Sequence, residues 1–179
     1  MFCYGHPKWD KQIRENRQKL NKLGNTVLHQ MGKLMEREDK MYLLETCALD
    51  LYGIEFCKGM TKKVWTDLER SYHWLVKRGL REGKNYGNHK ACAEAGMLTW
   101  NLLVNWKKAI LWDLLRNSNN KIVEVFYGKN KWETEFGGEM RSLYMEHGKD
   151  CNGAREIKKR MKLFVEAMAV LKEEEALSV

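Results

Sequence analysis

The stretch HKACAEAGMLTWNLLVNWKKAILWDLLR, residues 89–116, decides the fold class. Wound at 3.6 residues per turn, it is apolar on nearly every side. Ala91, Ala95, Leu98, Leu102, Ala109 and Leu115 are joined by Met97, Trp100, Leu103, Val104, Trp106, Ile110, Leu111 and Trp112. A helix without a polar face must be enclosed by other helices. The expectation is a mainly α protein: a bundle of about five helices around a central apolar helix at 89–116. Its 179 residues are enough for one domain spanning 1–179 with a core of its own. The chain holds a single proline, Pro7, so the commonest helix breaker is missing elsewhere.

The flanking segments supply the outer helices. Ile13, Leu20, Val27 and Leu34 recur every seven residues, with Leu23, Met31 and Met35 beside them. That rhythm predicts one long helix over Trp9–Asp39, packed on a neighbour. Gly24 in its middle costs about 1 kcal/mol of helix propensity against Ala. Asp39 is placed to cap a second helix at 40–52, with Met41, Leu44, Cys47, Ala48 and Leu51 on one face. Thr61 or Thr66 opens a third, the latter through the capping box TDLE. Its buried stripe is Val64, Trp65, Leu68, Tyr72, Leu75 and Val76, with Lys62, Lys63, Arg70, Lys77 and Arg78 mostly off it.

Three glycines then mark RGLREGKNYGN, residues 78–88, as a loop, and Asn88 as the cap of the helix that follows. Beyond residue 116 the pattern changes. Val123, Val125 and Tyr127 alternate, as do Trp132, Thr134 and Phe136, around GKNK. This predicts a small β-hairpin at 121–136, inserted in the helical domain. Asn152 caps a last helix through Glu174, its stripe being Ile157, Met161, Phe164, Met168 and Leu171.

The net charge is +8 and the pI about 9.2. Such an excess points to an anionic partner. Basic residues fall in three runs: Lys11, Arg14 and Arg17 on the first helix; Lys77, Arg78, Arg81 and Lys84 around the glycine loop; Lys158, Lys159 and Arg160 on the last helix. Lys and Arg hold phosphates, and Tyr86 in the loop offers a stacking ring. The leading expectation is a basic helical protein that binds nucleic acid, RNA rather than DNA, mostly through electrostatics, in a regulatory or packaging role. The alternative is a helical protein–protein interaction module or homodimer. Seven Trp and ten Met would suit its adaptable grooves. These traits would also suit a small viral accessory or matrix-type factor, binding a host protein or an anionic membrane surface.

Catalytic patterns are thin. The chain has no GxSxG, HExxH or GxxxxGK[ST], so neither an enzyme nor a small-molecule substrate is expected. Met1–Asp10 lacks the apolar core of a signal peptide, and no apolar run reaches the ~18 residues of a membrane span. Five scattered cysteines do not form a secreted disulfide framework. The reading is intracellular and cytoplasmic, with Lys158-Lys159-Arg160-Met161-Lys162 fitting a nuclear-import pattern.

Histidine and cysteine pair at short spacing three times: Cys3/His6, His89/Cys92 and His147/Cys151. Chance placement would give roughly 0.6 such pairs. Two pairs from distant parts of a chain can close a structural zinc site, here Cys3, His6, His89 and Cys92. The competing reading makes Ala91-Cys92-Ala93 a close helix contact, with Cys92 a small buried hydrophobe.

Overall fold

In a computed structural model the chain is mainly helical. The structure describes residues 7–31, 34–49, 51, 62–116, 142 and 154–177. Six α-helices lie among them: α1 (Pro7–Thr26), α2 (Arg37–Leu49), α3 (Lys62–Leu80), α4 (Asn88–Glu94), α5 (Trp100–Arg116) and α6 (Ala154–Leu177). The hairpin expected at 121–136 lies outside the described residues. So do Cys3 and His6.

The decisive stretch is not one helix but two. α4 stops after Glu94, with Ala95 as its C-cap. Gly96 takes φ +63, the left-handed conformation that glycine adopts without a Cβ penalty. Its N–H donates to the Ala93 carbonyl at 3.0 Å, and Met97 N–H donates to the Cys92 carbonyl at 2.8 Å. Those two bonds form a Schellman cap, completed by burial of both Cys92 and Met97. The apolar run continues through the turn because the turn itself is buried: Met97, Leu98 and Thr99 are each under a tenth exposed. Composition could not separate a buried turn from a buried helix here.

The centre shifts accordingly. α3 packs against α1, α2, α4 and α5, so it takes the role expected of 89–116. Leu68, Tyr72, Leu75, Val76 and Leu80 lie on its buried side. The Tyr72 hydroxyl donates to the Leu98 carbonyl at 2.6 Å, tying α3 to the turn between α4 and α5. Trp100 is fully buried beside Tyr72 and Trp65, with ring centroids 5.5 and 5.7 Å away. Each large apolar side chain buried this way stabilises the fold by roughly 1.5–3 kcal/mol. An exposed ion pair contributes about 0–1. The core therefore sets the architecture.

The long first helix also divides. Ile13, Leu20 and Val27 are buried as the heptad requires, but Leu34 is 90% exposed. The Thr26 hydroxyl donates to the Lys22 carbonyl one turn back, a bond that bends helices. The next five residues, Val27–Met31, wind as a wider π turn, and the regular repeat ends there. Gly24 has a packing reason: a Cβ there would lie 2.6 Å from the Leu75 side chain. Three capping expectations change as well. Asp39 lies inside the first turn of α2, Thr66 inside α3, and α4 is capped by Gly87 with Asn88 already helical. In α6 the buried line is Ile157, Met161, Val165 and Ala169; Phe164 and Leu171 are about half exposed.

α3 ends in a second Schellman cap, with Arg81 N–H to the Arg78 carbonyl at 3.1 Å and Glu82 N–H to the Lys77 carbonyl at 2.8 Å. The left-handed residue is Arg81, at φ 66, where a side chain costs roughly 1–2 kcal/mol. Arg81→Gly is expected to raise stability by about 1 kcal/mol, read from the urea midpoint at unchanged m-value.

Candidate nucleic-acid interface

α1 and α3 run parallel, side by side. Arg17 reaches Ser71 and Asp67 from α1, and further along Arg78 of α3 reaches Asn25 and His29. The geometry of an α-helix then fixes what their shared outer face carries. On α3, positions 63, 67, 70, 74 and 78 follow at steps of four or three residues, so they form one line. They are Lys63, Asp67, Arg70, Trp74 and Arg78, all exposed except the half-buried Asp67; Arg81, also exposed, follows in the left-handed cap beyond the helix. The line is about 22 Å long at 1.5 Å per residue. On α1, Asp10, Arg14, Arg17 and Asn25 lie alongside. The face thus combines five cations with two carboxylates.

At its first end a groove of about 600 Å³ is lined by Asp10, Arg14, Arg17, Lys63 and Asp67. Arg17 is largely committed here: its Nε donates to Ser71 Oγ at 3.0 Å and its Nη1 lies 3.7 Å from Asp67. Arg14 and Lys63 point to solvent. At the other end the Arg78 guanidinium stacks 4.9 Å from the centroid of Trp74 and donates to Asn25 Oδ1 at 3.4 Å. Such stacking orients both groups, and leaves an aromatic edge next to a fixed cation. Lys77 and Arg78 also occupy the last turn of α3, where cations complement the helix dipole. Part of the basic cluster therefore has a structural use.

The other expected contacts are distributed elsewhere. Lys11 is exposed near the start of α1, 3.9 Å from Glu15. Lys77 Nζ donates to the Lys84 carbonyl at 3.0 Å, closing the loop, while the Lys84 side chain is exposed. Tyr86 is half-buried against the core. Its hydroxyl donates to Glu94 at 2.7 Å, and the Lys90 ammonium covers its ring at 5.4 Å. The bond to Glu94 raises the phenol's pKa and, with Arg37, holds the Glu94 carboxyl below its usual range. Lys158 Nζ lies 2.8 Å from the buried Glu45 and 5.2 Å from the Trp106 ring centroid, which pins α6 to α2 and α5. Lys159 and Arg160 are exposed on α6. Arg14, Arg17 and Arg78 thus share the α1–α3 face, Arg81 lies in the cap that ends α3, and Lys158, Lys159 and Arg160 belong to another helix.

Lys63, Arg70 and Trp74 also belong to this face, beyond the basic runs that the sequence marks out. Their spacing is legible in the sequence. Trp74 gives no separate signal there, because the neighbouring stripe 68/72/75/76 accounts for the apolar residues.

On the opposite flank of α3 a cavity of about 620 Å³ is lined by Glu69, His73, His89, Asn101 and Phe164. His73 is 5% exposed, and neither ring nitrogen has a hydrogen-bond partner among the described residues. Burial first, then Lys77 and His89, lowers its pKa to about 4. His89 is half-buried at the rim. Cys92 is fully buried, and burial pushes its thiol up to about 12. A zinc ligand must be a thiolate, so metal at Cys3, His6, His89 and Cys92 has to overcome that burial. No cluster of three or more metal-binding side chains occurs among the described residues. Nor does any helix there have the length and apolarity to cross a membrane.

Comparison with protein-family models, with curated proteins and with solved structures finds no match.

Proposed function

We propose that this protein binds nucleic acid, RNA or other single strands in preference to duplex DNA, along the outer face of α1 and α3, in a regulatory or packaging role. The observation that carries the reading is the line Lys63, Arg70, Trp74 and Arg78, flanked by Arg14 and Arg17. Cations spaced along a straight path suit a phosphate backbone, and an exposed Trp beside them suits an unstacked base. A narrow helix-pair face without a rigid reading element gives little sequence specificity. The excess charge of the whole chain steers an anionic strand toward it.

The test is a salt titration of binding to single-stranded RNA, single-stranded DNA and duplex DNA of equal length, followed by fluorescence anisotropy. The reading requires tight binding at low salt, a steep log–log loss with added salt, and preference for single strands. Binding that is absent at low salt, or indifferent to salt, ends it. Vesicles of anionic lipid run alongside distinguish a general polyanion surface from a nucleic-acid one.

A further inference from the structure

The cavity of about 620 Å³ lies where α3, α4, α5 and α6 meet, and its size is that of a small-molecule cleft. His73 lines it and is 5% exposed, yet neither ring nitrogen has a hydrogen-bond partner among the described residues. Buried polar atoms are paired in nearly all folded proteins, so an unpaired imidazole beside a cavity points to a ligand.

The other walls decide which ligand. Burial first, then Lys77 and His89, keeps His73 neutral at pH 7, so its ring offers one donor and one acceptor. The Asn101 side-chain amide donates to Glu69 Oε1 at 3.5 Å, which sets a carboxamide and a carboxylate side by side. Phe164 from α6 and Leu102 from α5 add apolar surface. An anion suits this lining poorly, because Glu69 repels it and the Lys90 ammonium is held over the Tyr86 ring. A metal ion is served no better, since no three metal-binding side chains converge among the described residues.

The lining fits an uncharged ligand with flat apolar faces and a polar edge. Unstacked nucleobases are held in this way, by aromatic or apolar contact on the face and hydrogen bonds on the edge. Glu69 adds selection. A carboxylate only accepts hydrogen bonds, so the edge it meets must donate. Adenine, cytosine and guanine carry an exocyclic amino group, where uracil has only carbonyl oxygens.

We infer that this cavity binds a nucleobase with an exocyclic amino group, its edge on Glu69, Asn101 and His73 and its face on Phe164. The base comes from a free nucleoside or from a single strand. The site is separate from the α1–α3 line: Glu69 and His73 stand about 100° and 60° around α3 from Arg70.

NMR of the His73 ring nitrogens in the full-length protein tests this. Cytidine should shift their signals saturably, and uridine, of the same size, should bind about tenfold more weakly. Asn101→Ala should weaken cytidine by about tenfold. Glu69→Gln should level cytidine and uridine, because an amide both donates and accepts. Asn101 is exposed and Glu69 half-buried, and circular dichroism of each variant controls for folding. Cytidine carries no phosphate, so its binding is read apart from the α1–α3 face. A shift with cytidine itself supports a free nucleoside as the source; a shift with oligocytidylate alone, and not with oligouridylate, supports a strand. Signals unmoved by both cytidine and oligocytidylate, or moved equally by uridine, overturn the inference.

Discussion

Lys158→Met should lower the unfolding free energy by about 3 kcal/mol. Lys158 is the partner of Glu45, whose residue is 5% exposed and whose Oε1 has no hydrogen bond among the described residues. The Lys158 Nζ lies 2.8 Å from Oε2. Removing the cation leaves a buried carboxylate uncompensated, which costs about 3–5 kcal/mol when both partners are deeply buried. The lysine side chain here retains 21% exposure, so the low end applies. Met keeps the stem volume and reduces any packing loss. Adding Glu45→Gln to Lys158→Met should recover most of the stability, because the stranded charge is then gone. Urea unfolding of wild type, both single variants and the double variant gives the coupling directly. A single variant that loses under 1 kcal/mol would show that the pair sits in a wetter environment than its burial indicates.

Acidification from pH 7 to pH 4 should cost a second amount of about 3 kcal/mol through one residue, His73. Its pKa is about 4 in the folded chain against 6.5 for an ordinary histidine. The folded state therefore binds fewer protons than the unfolded state between these values. Stability rises with pH wherever the unfolded state binds more protons. The contribution is complete above about pH 6.5 and is lost as pH falls toward 4. A separation of some 2.5 pH units at about 1.36 kcal/mol each sets the size. Other groups titrate in the same range, so the readout is a difference. His73→Gln should flatten the stability profile between pH 4 and 6.5 relative to wild type. Parallel profiles for the two proteins would contradict the assignment.

Much of the fold was legible because burial writes itself as periodicity. Val64, Leu68, Tyr72, Leu75 and Val76 were expected on the inner stripe of α3 and lie there. The breaks were less legible. Gly96 ends a helix by one backbone conformation, while the apolar residues around it are the same inside a buried turn as inside a helix. The π turn after Thr26 leaves no mark in composition. In α6 two apolar stripes share one helix, and the sequence pattern alone mixed them: Ile157 and Met161 belong to the buried one, Phe164 and Leu171 to the exposed one. The basic residues were legible as a set but not as a surface. Lys158 looks like its neighbours Lys159 and Arg160 in sequence. Its tertiary contacts with Glu45 and Trp106 separate it from them. His73 gave no signal, since nothing local announces a histidine that neighbouring helices will bury.

The account rests most on the α1–α3 face, and one comparison tests it most directly. The slope of log affinity against log salt for a single-stranded RNA should be compared between wild type and the combined variant Arg14→Gln, Lys63→Gln, Arg70→Gln. All three side chains are exposed, so the fold is spared. Each phosphate contact on a single strand contributes about 0.7 to the slope. The face predicts a slope shallower by about 2 and weaker binding at every salt concentration. An unchanged slope in a folded variant would place the nucleic acid elsewhere on the protein and contradict the account.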